Sequence, residues 1–449
     1  MGAFHAYDIR GVYGKDFDAS VAYKVGYFLP SLLNASEVLV GRDCRVSSPE
    51  IHDALVKGIV DSGADVCDIG LSSTPMVYFA TANYGFKASV QITASHNAPE
   101  YNGLKVSCEN ALPVGYDAGL GEIERRIEAG DPTPVAQSRG KVRTMDIRSD
   151  YFAFMRRYKG DYSNIKIAFD LSNGMANLFA KEIFGEDPAY IFDTIDGRFP
   201  NHEPNPLVAA NREALSRLVL ETGADVGVIY DGDADRVMFL DERGRFVAPD
   251  LVIALMSEYF IGERGEQNPV VLQEIRSSKA VAEYLAPLGA KVCTWKVGRA
   301  FAAPRLREID GLWGGELAGH YYFKDFFYSD SGLLASEIVL RIVSSLKSRG
   351  ETLGEYMDRL VRYRNSGEIN FKLEHKKEAM DALKDFFSSL DTAITGMDFD
   401  GYRVEFADWW FNVRPSNTEP YLRFICEAKD DELLALRIAQ AKEIIAKFD

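Results

Sequence analysis

The stretch TGADVGVIYDGDADR, Thr222 to Arg236, holds a helix end, a strand and a loop in one pass. Gly223-Ala224 stops a helical segment, the β-branched run Val226 to Tyr230 reads as a strand, and DGDADR follows as a polar loop. The same plan recurs in SGADVCDIG from Ser62 and in LGAKVCTWKVG from Leu288. Upstream of each lies another short apolar run: Val38 to Val40, Ile165 to Phe169 and Val270 to Leu272. Strand, helix, strand, three times over, predicts an α/β chain of three similar units with largely parallel mixed sheets. From SGEINFKL, near residue 367, the plan changes to strand, helix through about Leu390, several strands and a final helix from Asp431. That is a smaller α+β C-terminal domain. The Pro- and Gly-bearing segment DPTPVAQSRGK after Gly130 reads as the link out of the first unit. The expected divisions are therefore 1–150, 151–254, 255–366 and 367–449. Ligands of α/β units collect beyond the carboxyl ends of strands, so the loops there carry the functional expectations.

Hydrophobic residues make up 47% of the 449-residue chain and charged ones 26%, the balance of an ordinary globular protein, and net charge is −16. Such an acidic chain disfavours nucleic acid, whose phosphate backbone is bound by basic surfaces. An anionic substrate would need locally concentrated arginine and lysine. No apolar run is long enough to span a bilayer, and the opening MGAFHAYDIRG lacks the apolar core of a signal peptide, so no membrane partner and a cytoplasmic location are expected. Cys44, Cys67, Cys108, Cys293 and Cys426 are odd in number and have no CxxC spacing, which suggests neither a disulfide framework nor a zinc site.

In DGDADR the carboxylates Asp231, Asp233 and Asp235 alternate, so an extended loop would face all three one way. Three hard oxygen donors with open positions suit Mg²⁺. Glu242 falls where a calcium-binding EF-hand loop would need it, but Arg236 stands where that loop requires glycine, and Val237 to Leu240 reads as strand. A second loop, TASHNAPEYNGLK from Thr93 to Lys105, follows the strand-like Ala88 to Ile92. Ser95 stands where that strand breaks, without the flanking glycines of a nucleophile elbow. Successive side chains in extended backbone point to opposite sides, so His96 is poorly placed as a base for Ser95. Asn97, Asn102, a chain-reversing Gly103 and Lys105 complete a set of phosphate-handling groups. Arginines stand in FHAYDIRG (Arg10) and after a strand in VGRDCR (Arg42, Arg45). In GGELAGHYYF, Glu316 and His320 are four apart among glycines that let backbone approach a ligand. Between two strands, RPSNTEPYLR groups Arg414, Ser416, Asn417, Thr418 and Arg423, a phosphate cradle by composition or an ordinary hairpin turn.

TASHNAPEYNGLK resembles the phosphoserine loop of the α-D-phosphohexomutases, the family of phosphomannomutases and phosphoglucomutases, whose common form is T(A/G)SHNPxxxNGxK. Ala98 replaces the first proline, with Pro99 directly after it. DGDADR is similar to the family's metal loop DGDxDR, GELAGH to its sugar-selecting GE(M/L)SGH, and RPSNTEP to its phosphate loop RxSNTxP. The resemblance touches all four units in order. It implies a mutase that interconverts hexose 6-phosphate and hexose 1-phosphate of mannose or glucose, through an enzyme phosphoserine and a hexose 1,6-bisphosphate. The implied catalytic set is Ser95, His96, Lys105, Arg10 and His320, with Lys105 and His320 assisting proton transfer and Arg10 giving electrostatic support. Mg²⁺ would sit on Asp231, Asp233, Asp235 and the Ser95 phosphate. Sugar phosphates, the expected small-molecule partners, would meet Arg236, Arg276, Lys296, Arg299, Glu316, His320, Arg414, Ser416, Asn417, Thr418 and Arg423. Two departures bear on the site: Arg299 stands where the family often has histidine, and Ala318 replaces a serine. A phosphoglucosamine mutase is the alternative enzyme, against which Leu317 argues because that branch usually has Gln there. A catalytically silent sugar-phosphate-binding regulator of the same fold is the alternative from another class, against which the retained Ser95 and three aspartates argue.

Overall fold

The computed structural model describes residues 2–416 and 421–448. The first sheet comprises β1 (Ile9–Val12), β2 (Glu37–Arg42), β3 (Asp65–Leu71), β4 (Ala88–Ile92), β5 (Tyr101–Cys108) and β6 (Val142–Thr144), in the order β1-β5-β4-β2-β3-β6. The second comprises β7 (Ile167–Asp170), β8 (Ala189–Ile191), β9 (Val226–Tyr230), β10 (Val237–Asp241) and β11 (Phe246–Val247), ordered β11-β10-β9-β7-β8. The third comprises β12 (Val270–Glu274), β13 (Lys291–Trp295), β14 (Trp313–Gly315), β15 (Tyr321–Phe323) and β16 (Ser329–Asp330), ordered β13-β12-β14-β15-β16. Within these sheets β5-β4-β2-β3, β10-β9-β7-β8 and β15-β14-β12-β13 are the same arrangement. In each, the first two strands pair antiparallel and the other neighbours pair parallel.

The repeat in the sequence is real but out of phase in the middle unit. In chain order within those four-strand sets, SGADV and LGAKV lead into β3 and β13, the second strand, whereas TGADV leads into β9, the third. β8 intervenes. Gly63, Gly223 and Gly289 all have positive φ at a helix end, at +96°, +63° and +85°, so the motif marks a helix stop rather than a fixed place in the topology. The loop after Gly130 is packed rather than loose: Ala136 N donates to Asp61 O, Gly140 N donates to Val60 O, and β6 then extends the first sheet.

The three sheets share their apolar interior. One buried cluster runs from Leu39 and Met76 through Phe169 and Tyr230 to Trp313 and Leu360. Helix Gly332–Ser348 follows the third sheet in sequence yet packs on β9 and β10 of the second, and helix Thr74–Asn83 touches β16. Helix Pro249–Leu255 packs on β14 and on helix Lys279–Leu285, so its contacts lie with the third sheet although the expected division at 254/255 crosses its end.

The fourth sheet comprises β17 (Arg364–Asn365), β18 (Ile369–Lys372), β19 (Thr395–Met397), β20 (Tyr402–Glu405), β21 (Trp409–Pro415) and β22 (Tyr421–Ala428). All its pairings are antiparallel, and helices Lys376–Leu390 and Asp431–Ile445 contribute to its separate core of Leu383, Phe387, Trp409 and Phe411. Pairing of β17 with β22 brings the chain into this sheet at Arg364, ahead of the expected division at 366/367. Buried polar contacts fasten it to the third unit. Arg403 donates to Ile275 O and Ser277 O at 2.7 and 2.6 Å, and Lys279 donates to Phe406 O and Ala407 O.

One group in the shared core works against stability. Glu337, on helix Gly332–Ser348, is fully buried; Tyr162 O–H donates to its Oε2, and Oε1 has no partner. Burial pushes its pKa up from 4.5 to about 8. Between those values the folded protein holds a proton that the unfolded chain has released, so stability falls as pH rises through that window. Glu337→Gln is expected to flatten the slope and to be the more stable protein at pH 9, by roughly 5 kcal/mol. Urea unfolding at pH 5 and pH 9 measures the difference; parallel pH profiles for the two proteins would refute it.

Candidate active site

Three loops lie at one topological place, each joining the last two strands of its four-strand set: 93–100 between β4 and β5, 231–236 between β9 and β10, and 316–320 between β14 and β15. They touch one another. Ser95 Oγ donates to Asp231 Oδ2 at 2.8 Å, Val237 N donates to Gly319 O at 3.1 Å, and a Cβ on Gly232 would fall 2.5 Å from Ser95 O. Only glycine fits at position 232.

Ser95 is buried and has φ +53°, a conformation that costs a non-glycine residue energy and that clusters at functional sites. This corrects the expectation for His96. The backbone is not extended there, and His96 Nδ1 stands 3.4 Å from Ser95 Oγ, on the same side. Burial, reinforced by Arg236, Arg10, Lys105 and His320, pushes the His96 pKa well below the usual imidazole value. Gly103 does not reverse the chain either. It lies within β5, where a Cβ would meet Ile9 O at 2.2 Å, and the reversal occurs in the turns before Tyr101. Asn102 is spent on Ser47 and Ser48 hydroxyls, while Asn97 Oδ1 accepts from Arg10 at 2.9 Å.

The residue that sets the loop's shape is Arg45, which the sequence presented only as one arginine of two after a strand. Fully buried, it donates to the carbonyls of Ser95 (2.9 Å), Asn97 (2.6 Å), Ala98 (2.7 Å) and Tyr101 (3.0 Å), with Nε on Asp43. A guanidinium presents donors in a fixed fork, and here the fork organises four carbonyls of one turn. No local sequence signal distinguishes it from a surface arginine.

The three aspartates converge through turns with Ala234 at φ +61°, rather than along an extended loop. One oxygen from each lies within 4.8 Å of the others, and all three side chains are buried. Burial, with Asp233 and Asp235, pushes the Asp231 pKa well above the carboxylate range. Such a cluster calls for a cation, and two features fit a hard one: the donor set is all oxygen, and Asp233 Oδ1 and Asp235 Oδ1 are buried without a hydrogen-bond partner. Lys105 Nζ donates to Asp233 Oδ2 (2.6 Å) and to Asp235 Oδ2, and Thr74 O–H donates to Asp233. Burial would lower the Lys105 pKa, but Asp233 and Asp235 outweigh it and hold it above the lysine range.

A cavity of about 600 Å³ opens beside this centre, lined by Arg10, His96, Lys105, Arg236, Arg299, Glu316 and His320, among others. Glu316 is already partly engaged. Its Oε1 already accepts from the buried Tyr322 hydroxyl at 2.6 Å, and burial raises its pKa. A larger hollow of about 730 Å³ near Tyr27, Asn34 and Lys87 lies apart from all these groups. Arg276 is not among the cavity's lining residues: its fork is taken by Glu274 at 2.8 and 2.9 Å and reaches Glu368 at 3.2 Å, a tie to the fourth unit. Lys296 lies over the Phe301 ring. Arg414 and Arg423 are opposite each other on β21 and β22, facing Asp400 and Glu368 respectively, and Ser416 N closes the hairpin on Tyr421 O at 2.8 Å. Asn417 and Thr418 lie outside the described residues.

Three α/β units carrying a strained serine, an acidic triad and a cation-lined cavity, with a fourth α+β unit beside them, make a site suited to phosphoryl transfer. Comparison with known proteins gives the family. The descriptions "Phosphoglucomutase/phosphomannomutase, alpha/beta/alpha domain I", II and III match residues 1–133, 149–244 and 248–363, and the C-terminal domain of the same family matches 368–444. A phosphomannomutase of Escherichia coli K12 is 36% identical over 96% of each chain, and one of Methanocaldococcus jannaschii is 33% identical over 99% of this chain and 98% of its own. A phosphoglucomutase/phosphomannomutase family protein of Burkholderia thailandensis superposes with a TM-score of 0.86 at 28% identity, covering 99% of this chain and 97% of that one. The chain belongs to the phosphoglucomutase/phosphomannomutase family and is an intramolecular phosphotransferase.

Proposed function

We propose that this mutase interconverts the 6-phosphates and 1-phosphates of mannose and glucose through a phosphoryl group carried on Ser95. The observation that carries the reading is Ser95 Oγ 2.8 Å from Asp231 Oδ2, in a strained turn beside the cationic cavity. The Ser95 O–P bond breaks as a new O–P bond forms to the free sugar hydroxyl. The resulting hexose 1,6-bisphosphate reverses, and its other phosphoryl group returns to Ser95. Phosphoryl transfer depends on positioning and charge neutralisation, and the residues supply both. Arg10, held by Asp8 and Asn97, and Arg236 and Arg299 put positive charge around the transferring group. Lys105 and His320 are the proposed proton carriers, and both line the cavity together with His96. Asp231, Asp233, Asp235 and the Ser95 oxygen would hold Mg²⁺, which supplies Lewis-acid polarisation of phosphoryl oxygens.

The unit divisions 1–150, 151–254, 255–366 and 367–449 then correspond to serine, metal, sugar and distal-phosphate parts. Arg414, Ser416, Asn417, Thr418 and Arg423 make up the last. Small-molecule sugar phosphates are the partners, in keeping with an acidic chain that lines one cavity with arginine. Five free cysteines support a reducing, cytoplasmic setting.

Turnover of mannose 1-phosphate, glucose 1-phosphate and glucosamine 1-phosphate in one assay tests the substrate class; preference for the amino sugar would replace this reading by phosphoglucosamine mutase. Glu316 serves both orientations of the intermediate, so Glu316→Ala is expected to lower kcat/KM about 10- to 100-fold with mannose and glucose phosphates alike. A normal rate with either sugar would assign the GGELAGH turn a structural role only.

A further inference from the structure

We propose that Asp330 is a positioning residue of the site, one buried carboxylate that fixes the His320 tautomer and aims two arginines along one wall of the cavity. The proposal rests on the mutase reading and deepens it. Asp330 ends β16 and is fully buried. Its Oδ2 accepts from His320 Nδ1 at 2.6 Å and its Oδ1 from Arg299 Nε at 3.0 Å. On the far side of the ring, Arg236 Nε stands 2.9 Å from His320 Nε2. A guanidinium N–H only donates, so Nε2 must present its lone pair to Arg236 and the ring hydrogen must sit on Nδ1, facing Asp330. Arg299 is held from three directions: Nε by Asp330, a terminal nitrogen by Ala111 O at 2.8 Å, and its plane over Tyr78 at 3.7 Å. Ala111 and Tyr78 belong to the first unit, so the chain Arg236–His320–Asp330–Arg299 also ties the cavity wall of the third unit to the first. Arg236, Arg299 and His320 all line the cavity.

A carboxylate can accept from His320 and Arg299 together, whereas the amide of Asp330→Asn has one accepting oxygen and a donating NH₂ group. If the NH₂ faces Nδ1, the ring must carry its hydrogen on Nε2, opposite the donor of Arg236. If it faces Arg299, that guanidinium is turned away. Nitrogen-15 NMR of histidine-labelled protein, assigned with His320→Gln, reads the tautomer directly. His320 is expected as Nδ1–H in the unsubstituted protein, and this signature should be lost or mixed in Asp330→Asn. Loss of a supporting hydrogen bond of this kind typically costs roughly 10- to 100-fold, and the fall is expected in kcat more than in KM. An Nε2–H tautomer in the unsubstituted protein overturns the proposal even if the variant fails to fold. So does an Asp330→Asn protein with the tautomer and kcat unchanged. Failure of the unsubstituted protein to interconvert hexose phosphates, with the tautomer as expected, would instead remove the substrate reading.

Discussion

Ser95→Ala is expected to lower hexose phosphate interconversion by roughly 10³-fold or more, because the phosphoryl group has no other carrier. Intact-mass and peptide analysis of the active enzyme should find phosphate on Ser95 and nowhere else in the loop. The substitution should leave the fold undisturbed. Arg45 grips the turn through the carbonyls of Ser95, Asn97, Ala98 and Tyr101, and none of those bonds needs the Ser95 hydroxyl. What the hydroxyl does make is its bond to Asp231. Near-full activity of Ser95→Ala with hexose 1,6-bisphosphate supplied would sink the phosphoserine reading.

Removal of the divalent ion is expected to have an effect of similar size without unfolding the chain. The triad is already held by Thr74, Lys105, Ser95 and the Arg236 backbone N–H, so chelation leaves a folded protein. Thorough EDTA treatment should abolish turnover, and added Mg²⁺ should restore it. Asp233→Asn supplies a readout besides activity. A ligand at about 100 times its dissociation constant stabilises the folded state by about 2.7 kcal/mol, so Mg²⁺ should raise the unfolding midpoint of the unsubstituted protein and leave that of Asp233→Asn in place. Equal shifts in the two proteins, or turnover that survives chelation, would contradict a metal on these carboxylates.

Several of the elements were legible residue by residue, though β6 and β8 were not. Ala88 to Ile92 and Val226 to Tyr230 are β4 and β9 with the bounds that alternation in the first and β-branched residues in the second announce, and the helices ending at Leu390 and starting at Asp431 fall where expected. Each follows from side-chain period, helix stops and turn chemistry, which act over a few neighbouring residues. The acidic loop was legible for the same reason, since its three carboxylates lie within one turn of chain.

Sheet order was not legible, and with it went everything that depends on residues distant in sequence. TGADV looked equivalent to SGADV and LGAKV, but a helix stop before a strand carries no mark of which strand in the unit it precedes. Extended backbone would put the Ser95 and His96 side chains on opposite sides. The positive φ that brings them together belongs to a serine whose carbonyl is held by Arg45 and closely approached by Gly232 of the second unit.

The same holds for the charges. Arg276 and Arg299 read alike in the sequence, as cations following strands. Glu274 and Glu368 occupy the first, while Asp330 and Tyr78 hold the second at the cavity. The amino-acid order specifies which chemical groups this protein owns and on which local turns they sit. Tertiary structure decided which of them are free to meet a ligand, because a buried charge is directed by whichever opposite charge packing brings within hydrogen-bond reach, and that partner comes from another part of the chain.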